Sequence, residues 1–211
     1  MGYTLIFKRR INMTLPNKLT LGRILVIPVM IVVACIPYLN QTFVVSALTL
    51  ANLINVILFA LASVTDFLDG YIARKRNLVT TFGKFADPLA DKCLVLISFL
   101  ILMVSNPQIT LGNLNLDLVP MWGVSIILLR ELTVSGVRLV AAERGVVIAA
   151  GWSGKVKTFE TMVALVFLFL AGIHFIIGII GLVLMYVSVL LTLYSGIVYI
   201  WNSRKIIFES I

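Results

Sequence analysis

The chain has few charged residues and few of the side chains that bind transition metals. Only 12% of its 211 residues are charged, and it contains one histidine and two cysteines. Because soluble domains are about a quarter charged, this composition excludes an ordinary soluble protein. Both cysteines, Cys35 and Cys93, lie in apolar runs. They therefore favour packing roles over a disulfide framework or a metal-thiolate site.

Hydrophobic residues are abundant and concentrated in long runs; they make up 61% of the chain. A membrane-spanning helix needs about 20 apolar residues, and the alternation typical of a membrane β-barrel is absent. We therefore expect an all-α, polytopic membrane protein with six transmembrane helices and a cytoplasmic N-terminal surface segment. The expected organisation is a basic N-terminal segment (1–19), a single six-helix membrane domain (20–205) and a cytoplasmic tail (206–211).

The expected spans follow the apolar runs. They lie near 20–37, 43–65, 84–104 and 118–142, with two more between 161 and 203. Gly172, His174 and Gly178 mark the turn between the last two, and a loop is expected up to Lys155 and Lys157. Pro88 indicates a helix start or a kink, since proline removes a helical hydrogen bond.

The cations are distributed asymmetrically. With six spans, all 17 Lys and Arg fall at or near one side, whereas the opposite loops hold only Asp117 and His174. The positive-inside rule then predicts a multi-pass cell-membrane protein with both termini in the cytoplasm. The net charge of +8 indicates cytoplasmic loops and anionic membrane lipid as partners, and no nucleic acid.

Two features of the N-terminal region leave alternatives open. The residues V-V-A-C at 32–35, after a basic start, are similar to a lipoprotein cleavage box, although the same run serves equally well as a first span. Met13 offers a second start, so residues 1–12 are either an extension or part of the native chain.

Four aspartates lie at spacings of three and four in sequence that otherwise avoids charge: Asp66, Asp69, Asp87 and Asp91. If both segments are helical, each pair shares one helix face, and two facing helices direct four carboxylates at one point. An aspartate deep in a span costs roughly 2.5–3.5 kcal/mol, so the cluster requires compensation.

Cations can compensate this cluster in two ways. Arg74 and Lys92 could neutralise it as membrane salt bridges, but divalent metal ions do so more fully. Oxygen ligands without His or Cys favour Mg²⁺, Mn²⁺ or Ca²⁺. Four carboxylates suit two adjacent cations, the arrangement used for phosphoryl displacement. The acidic cluster therefore predicts a two-metal site at the cytoplasmic leaflet.

The complete motif at 66–91 is D-x-x-D-G-x-x-A-R, eight residues, then G-x-x-x-D-x-x-x-D. It resembles the full signature of the CDP-alcohol phosphotransferases, six-span membrane enzymes of phospholipid synthesis. The resemblance implies two divalent cations, Mg²⁺ or Mn²⁺, bound by the four aspartates, with Asp91 also acting as the catalytic base. It further implies that the CDP moiety of CDP-diacylglycerol is held by Gly70, Arg74, Thr80 and Gly83.

Four further cations are candidates for the acceptor: Arg130, Arg138, Lys155 and Lys157. An arginine deep in a span needs an anionic partner. That partner is either Glu131 or Glu160, which would make the pairing structural, or the phosphate of the acceptor. Both explanations remain open at this point.

The acceptor's identity rests on three further segments. R-E-L-T-V-S-G-V-R at 130–138, G-K-V-K-T at 154–158 and P-N-K-L-T-x-x-R at 16–23 are similar to the members of the family that use sn-glycerol 3-phosphate. This implies transfer of a phosphatidyl group from CDP-diacylglycerol to sn-glycerol 3-phosphate. Inositol phosphate or phosphatidylglycerol as acceptor, and a divalent-cation transporter, are the alternatives. The roles of Asn17, Thr20 and Arg23 stay open, as does a homodimer through a small-residue helix face.

Overall fold

The computed structural model describes residues 15–76, 81–111, 114–143 and 151–208, and the side chains of 19–65, 86–110, 115–143 and 151–204. Within these ranges the chain forms six long helices, one short helix and two β-hairpins. The helices are α1 (Leu15–Cys35), α2 (Pro37–Gln41), α3 (Leu50–Arg76), α4 (Thr81–Ser105), α5 (Met121–Glu143), α6 (Trp152–Phe169) and α7 (Phe175–Phe208). The strands are β1 (Phe43–Val45), β2 (Leu48–Thr49), β3 (Gln108–Leu111) and β4 (Leu114–Asp117).

The structure is mostly helical, as predicted, but it also contains two short hairpins that were not expected. β1 pairs antiparallel with β2, and β3 with β4. The first pair is rich in β-branched and aromatic residues, which favour strands, and its turn contains Ser46 with a φ of 48°. The helix expected to start near 43 therefore begins at Leu50. The loop expected around 106–115 is the second hairpin.

Three predicted boundaries also need correction. Lys155 and Lys157 lie in the first turns of α6 and not in a loop, because the helix begins at Trp152. Gly178 lies inside α7, whereas His174 is exposed in the turn before it. α4 begins at Thr81 and continues through Pro88, so the proline does not mark the start of this helix.

The long helices pack into one bundle. α1 packs against α3 and α4, while α5 and α6 both pack against α7. α3 and α4 each contact α6 and so join the two groups. The core between them is formed by large apolar side chains that include Phe59, Phe99, Leu102, Ile127 and Leu168.

The hairpins and the turn between α6 and α7 meet at one end of the bundle. The Ala47 N–H donates to the Gly172 carbonyl oxygen at 2.9 Å. A Cβ on Gly172 would lie 2.5 Å from the Ala47 carbonyl carbon, so this close approach requires glycine. α3 begins and α4 ends at these hairpins. The end of α3 and the start of α4, which carry the acidic motif, therefore lie at the other end.

The surfaces of the long helices are apolar. Two stretches of the described chain, Ala86–Ser105 and Phe175–Arg204, are long and apolar enough to cross a membrane. Leu19–Cys35 and Leu50–Thr65 are shorter apolar helices. Several large apolar side chains point outward and are more than half exposed, among them Leu61, Val104, Leu139 and Ile197. Such faces suit contact with lipid rather than water.

Candidate active site

The first half of the acidic motif lies at the end of α3. Asp66, Asp69, Gly70 and Arg74 all fall within this helix, whose backbone is helical to Arg76. Because the backbone is helical here, Asp66 and Asp69, which are three residues apart, fall on one face of α3. Their side chains lie outside the described part of the structure, as does Thr80 altogether.

The second half of the motif lies in α4. Because the helix is continuous through Pro88, Gly83, Asp87 and Asp91 follow one another at one-turn intervals along one face. The side chains of Asp87 and Asp91 are 45% and 34% exposed. Ala86 and Ala90 are buried on the adjacent face of the helix. Packing of these alanines thus turns the two carboxylates towards an accessible space.

Two side chains of α1 contact these carboxylates. Thr20 Oγ1 donates to Asp87 Oδ1 at 2.5 Å. Arg23 Nη1 donates to Asp91 Oδ1 at 2.5 Å, and its Nη2 lies 3.9 Å from Asp87 Oδ1. Thr20 and Arg23 are 1% and 2% exposed. α1 therefore forms a wall of the acidic centre, which comprises the four aspartates of the motif and the residues around them.

The described half of the acidic centre fits a hard divalent cation. Asp87 and Asp91 offer carboxylate oxygens one turn apart on a partly exposed face, which are the ligands that Mg²⁺ and Mn²⁺ prefer. Among the side chains that the structure describes, no group of three His, Cys, Asp or Glu comes together. Since Asp66 and Asp69 are outside that part, the two-metal site stays a prediction.

A second polar cluster lies where α5, α6 and α7 meet. Glu131 Oε1 accepts hydrogen bonds from Arg130 Nη1 at 2.9 Å and from Lys157 Nζ at 2.6 Å. Arg130 Nη2 also donates to Ser195 Oγ at 3.1 Å. Lys157 is almost fully buried, with 3% of its surface exposed. The structural pairing of Arg130 with Glu131, one of the two open explanations, is therefore present.

The other explanation, a phosphate pocket, also finds a matching feature. A cavity of about 180 Å³ lies beside this cluster. Arg130 and Arg138 both line it, and the guanidinium of Arg138 stands 5.6 Å from the ring centre of Tyr199. Its other walls are Gly151, Ser153, Gly154, Ser195, Val198, Tyr199, Asn202 and Ser203. Two arginines that line one small cavity are suited to an anion.

The four predicted acceptor cations are thus in different settings. Arg130 and Arg138 share the cavity, Lys157 is held by Glu131, and Lys155 is exposed at the start of α6. Glu160, the other candidate partner, accepts from Ser188 Oγ at 2.5 Å. Lys92 donates a hydrogen bond to Ser135 and so links α4 to α5, between the acidic centre and the polar cluster around Glu131.

The contacts of Thr20 and Arg23 with the acidic centre were not predicted from the sequence. A signal for them was present, because residues three apart share a helix face and an arginine beside an apolar run needs an anionic partner. The same reasoning applied to Arg130 would have directed Arg23 to an aspartate. The cavity walls from α7, such as Ser195 and Tyr199, had no comparable signal in the sequence.

Comparison with known proteins identifies the family. The family model for CDP-alcohol phosphatidyltransferase matches residues 13–194. The chain belongs to the CDP-alcohol phosphatidyltransferase family. A Bacillus subtilis relative is 44% identical over 76% of this chain and 79% of its own length. A Rickettsia felis relative is 40% identical over 93% of this chain and 98% of its own length. Both bear the name CDP-diacylglycerol–glycerol-3-phosphate 3-phosphatidyltransferase.

The Glu131 cluster makes a prediction about stability. Glu131→Gln removes the carboxylate that Lys157 and Arg130 contact in a largely buried setting. Removing one partner of a buried ion pair costs about 3–5 kcal/mol. We expect a clear fall in the midpoint of thermal unfolding of the detergent-solubilised protein.

Glu143→Gln, at the exposed end of α5, is the matched control and should leave the midpoint unchanged. In the double variant Glu131→Gln, Lys157→Met, the loss should be smaller than the sum of the two single losses. A Glu131→Gln protein as stable as the parent would contradict the structural role of this pair.

Proposed function

We propose that this chain transfers a phosphatidyl group from CDP-diacylglycerol to sn-glycerol 3-phosphate, giving phosphatidylglycerophosphate and CMP in phospholipid biosynthesis. The observation that carries the proposal is the acidic motif, in a chain that is 40% identical over nearly all of both lengths to the Rickettsia felis relative named CDP-diacylglycerol–glycerol-3-phosphate 3-phosphatidyltransferase. The cavity lined by Arg130 and Arg138 supports an acceptor that carries a phosphate.

The reaction is a displacement at the β-phosphorus of CDP-diacylglycerol. Asp91 accepts the proton of the acceptor hydroxyl, because an alcohol is a poor nucleophile until a base removes its proton. The hydroxyl oxygen forms a bond to the β-phosphorus, and the bond from that phosphorus to the CMP oxygen breaks. Gly70, Arg74, Thr80 and Gly83 hold the CDP moiety.

Asp66, Asp69, Asp87 and Asp91 would hold two divalent cations, Mg²⁺ or Mn²⁺. When bound, such cations offset the charge that develops on the diphosphate oxygens as CMP leaves. The partly exposed Asp87 and Asp91 carboxylates on one face of α4 support this assignment.

The acceptor phosphate binds beside Arg130 and Arg138, whose guanidinium groups can donate two parallel hydrogen bonds to a phosphate. Lys155 is exposed and can add a positive charge at the start of α6. Lys157 contacts Glu131, and a direct contact between Lys157 and the phosphate stays a prediction.

The proposed topology has six membrane spans formed by the six long helices, with both termini in the cytoplasm. The domain limits are then 1–19, 20–205 and 206–211. The hairpins meet at one end of the bundle, and Arg23 contacts Asp91 at the other end. These contacts support an up-and-down arrangement of the helices. The reacting groups then lie at the cytoplasmic leaflet, where the nucleotide reaches water while the acyl chains stay in lipid. The apolar outer faces contact lipid or a second copy of the chain.

Release of CMP tests the function directly. Purified protein is incubated with CDP-diacylglycerol and Mg²⁺ or Mn²⁺, and sn-glycerol 3-phosphate, inositol phosphate and phosphatidylglycerol are added singly. Of the three acceptors, we expect only sn-glycerol 3-phosphate to cause CMP release. The Asp91→Asn variant, which lacks the base, should release no CMP.

Asp117→Asn, on the hairpin at the opposite end, is the control and should keep full activity. If CMP is released with a different acceptor, that acceptor is the substrate and sn-glycerol 3-phosphate is not. No release with any alcohol, together with metal flux into liposomes, would favour a transporter.

The cavity makes a separate prediction about the acceptor. Arg130→Ala should raise the KM for sn-glycerol 3-phosphate about 10- to 100-fold, because a hydrogen bond to a charged group contributes about 1.5–3 kcal/mol. The KM for CDP-diacylglycerol should change little. Steady-state kinetics with each substrate varied in turn measures both constants.

Arg204→Ala is the control, since Arg204 is exposed and stacks on Trp201 outside the cavity. An equal rise in both KM values for Arg130→Ala would argue against an acceptor contact.

A further inference from the structure

We propose that Arg23 is the resident counterion of the acidic centre: its guanidinium balances and orients the Asp87 and Asp91 carboxylates until divalent cations bind. The inference rests on the proposed metal site. It gives α1, which carries none of the acidic motif, a defined part in assembling the acidic centre. Arg23 acts through the aspartates and is therefore a positioning residue.

The geometry is that of a bridge. Arg23 Nη1 lies 2.5 Å from Asp91 Oδ1, and Nη2 lies 3.9 Å from Asp87 Oδ1. One planar guanidinium thus reaches two carboxylates that are one helical turn apart. An arginine suits this task because its donors are fixed in a rigid fork. The bridge also ties the start of α1 to the start of α4.

The charges explain why such a bridge is needed. Two carboxylates one turn apart repel each other, and the proposed centre adds Asp66 and Asp69 from α3. Arg23 is 2% exposed, so its charge has lost most of its hydration and depends on an anionic partner. Cation and carboxylates therefore stabilise each other when no metal ion is present.

Metal ions change this balance. Two divalent cations supply four positive charges to the same carboxylates, so the compensation by Arg23 contributes less to stability once they are bound. The stabilisation by Arg23 is therefore expected to be large without metal and small with it.

Thr20 provides an internal comparison. Its hydroxyl donates to the same Asp87 Oδ1 at 2.5 Å and is equally buried, but it carries no charge. Loss of this hydroxyl should lower stability by a similar amount with and without metal. If Arg23 only fastened α1 to α4, its removal would behave like the removal of the Thr20 hydroxyl.

The experiment measures thermal unfolding of the full chain in detergent under two conditions, one with EDTA and one with saturating Mn²⁺. The variants are Arg23→Gln, Arg23→Lys and Thr20→Val. Thr133→Val is the control, because the Thr133 hydroxyl donates only to the Leu129 carbonyl oxygen of its own helix in the described contacts. All proteins are purified in Mn²⁺, and the metal is then removed from half of each sample.

We expect Arg23→Gln to lower the unfolding midpoint by about 5 °C or more in EDTA, and by less than half as much in Mn²⁺. Arg23→Lys, which keeps the charge, should recover most of the loss in EDTA. Thr20→Val should show the same loss in both conditions, and Thr133→Val almost none.

Different failures of the experiment are distinguishable. An Arg23→Gln loss that is equal in both conditions, or an Arg23→Gln protein that does not fold even in Mn²⁺, would overturn the counterion role while leaving the metal site intact. A parent protein whose midpoint does not respond to Mn²⁺ would instead overturn the metal site itself. A variant that folds only in Mn²⁺ supports the proposal.

Discussion

A charge placed among apolar helices must be compensated within the protein, because neither lipid nor packed side chains can hydrate it. This constraint decides where the polar groups of the chain lie. Arg23 meets Asp87 and Asp91, and Lys157 and Arg130 meet Glu131. The Arg23 pairs join α1 to α4, and the Lys157 pair joins α6 to α5, so these contacts also help to fix which helices are neighbours.

The two polar clusters lie at the same end of the bundle, while the hairpins lie at the other. The acidic centre is built at the starts of α1 and α4 and the end of α3, and the cavity at the end of α5, the start of α6 and the end of α7. Lys92 of α4 and Ser135 of α5 connect the two regions. In the proposed reaction, an acidic centre for the diphosphate beside a basic cavity for the acceptor phosphate brings both substrates together.

Local rules predicted much of this fold from the sequence. Apolar runs gave the six long helices, and the membership of the acidic motif in α3 and α4 followed from its spacing of three and four. The hairpin at 43–49 was missed because its apolar residues read equally well as part of a span. The loop expected up to Lys155 and Lys157 ends earlier, because α6 begins at Trp152 and Lys157 is buried against Glu131.

The candidate site was predictable only where its residues lie close together in the sequence. Asp87 and Asp91 form a pair by spacing alone, and their place on one face of α4 is confirmed. Their contacts with Thr20 and Arg23 join residues 67 and 68 positions apart. The sequence indicates that Arg23 needs an anionic partner, but it does not specify which aspartates provide it. The cavity walls from α7 likewise depend on how α5, α6 and α7 pack, which a single sequence does not define.

The claim on which the proposed chemistry depends is that the acidic centre holds a pair of divalent cations. Electron paramagnetic resonance of the purified protein titrated with Mn²⁺ counts the bound ions and detects coupling between them. The proposal predicts two Mn²⁺ per chain, close enough to couple at about 3.5–4 Å, with the coupled signal lost in Asp69→Asn. A single uncoupled Mn²⁺, or none, would contradict it.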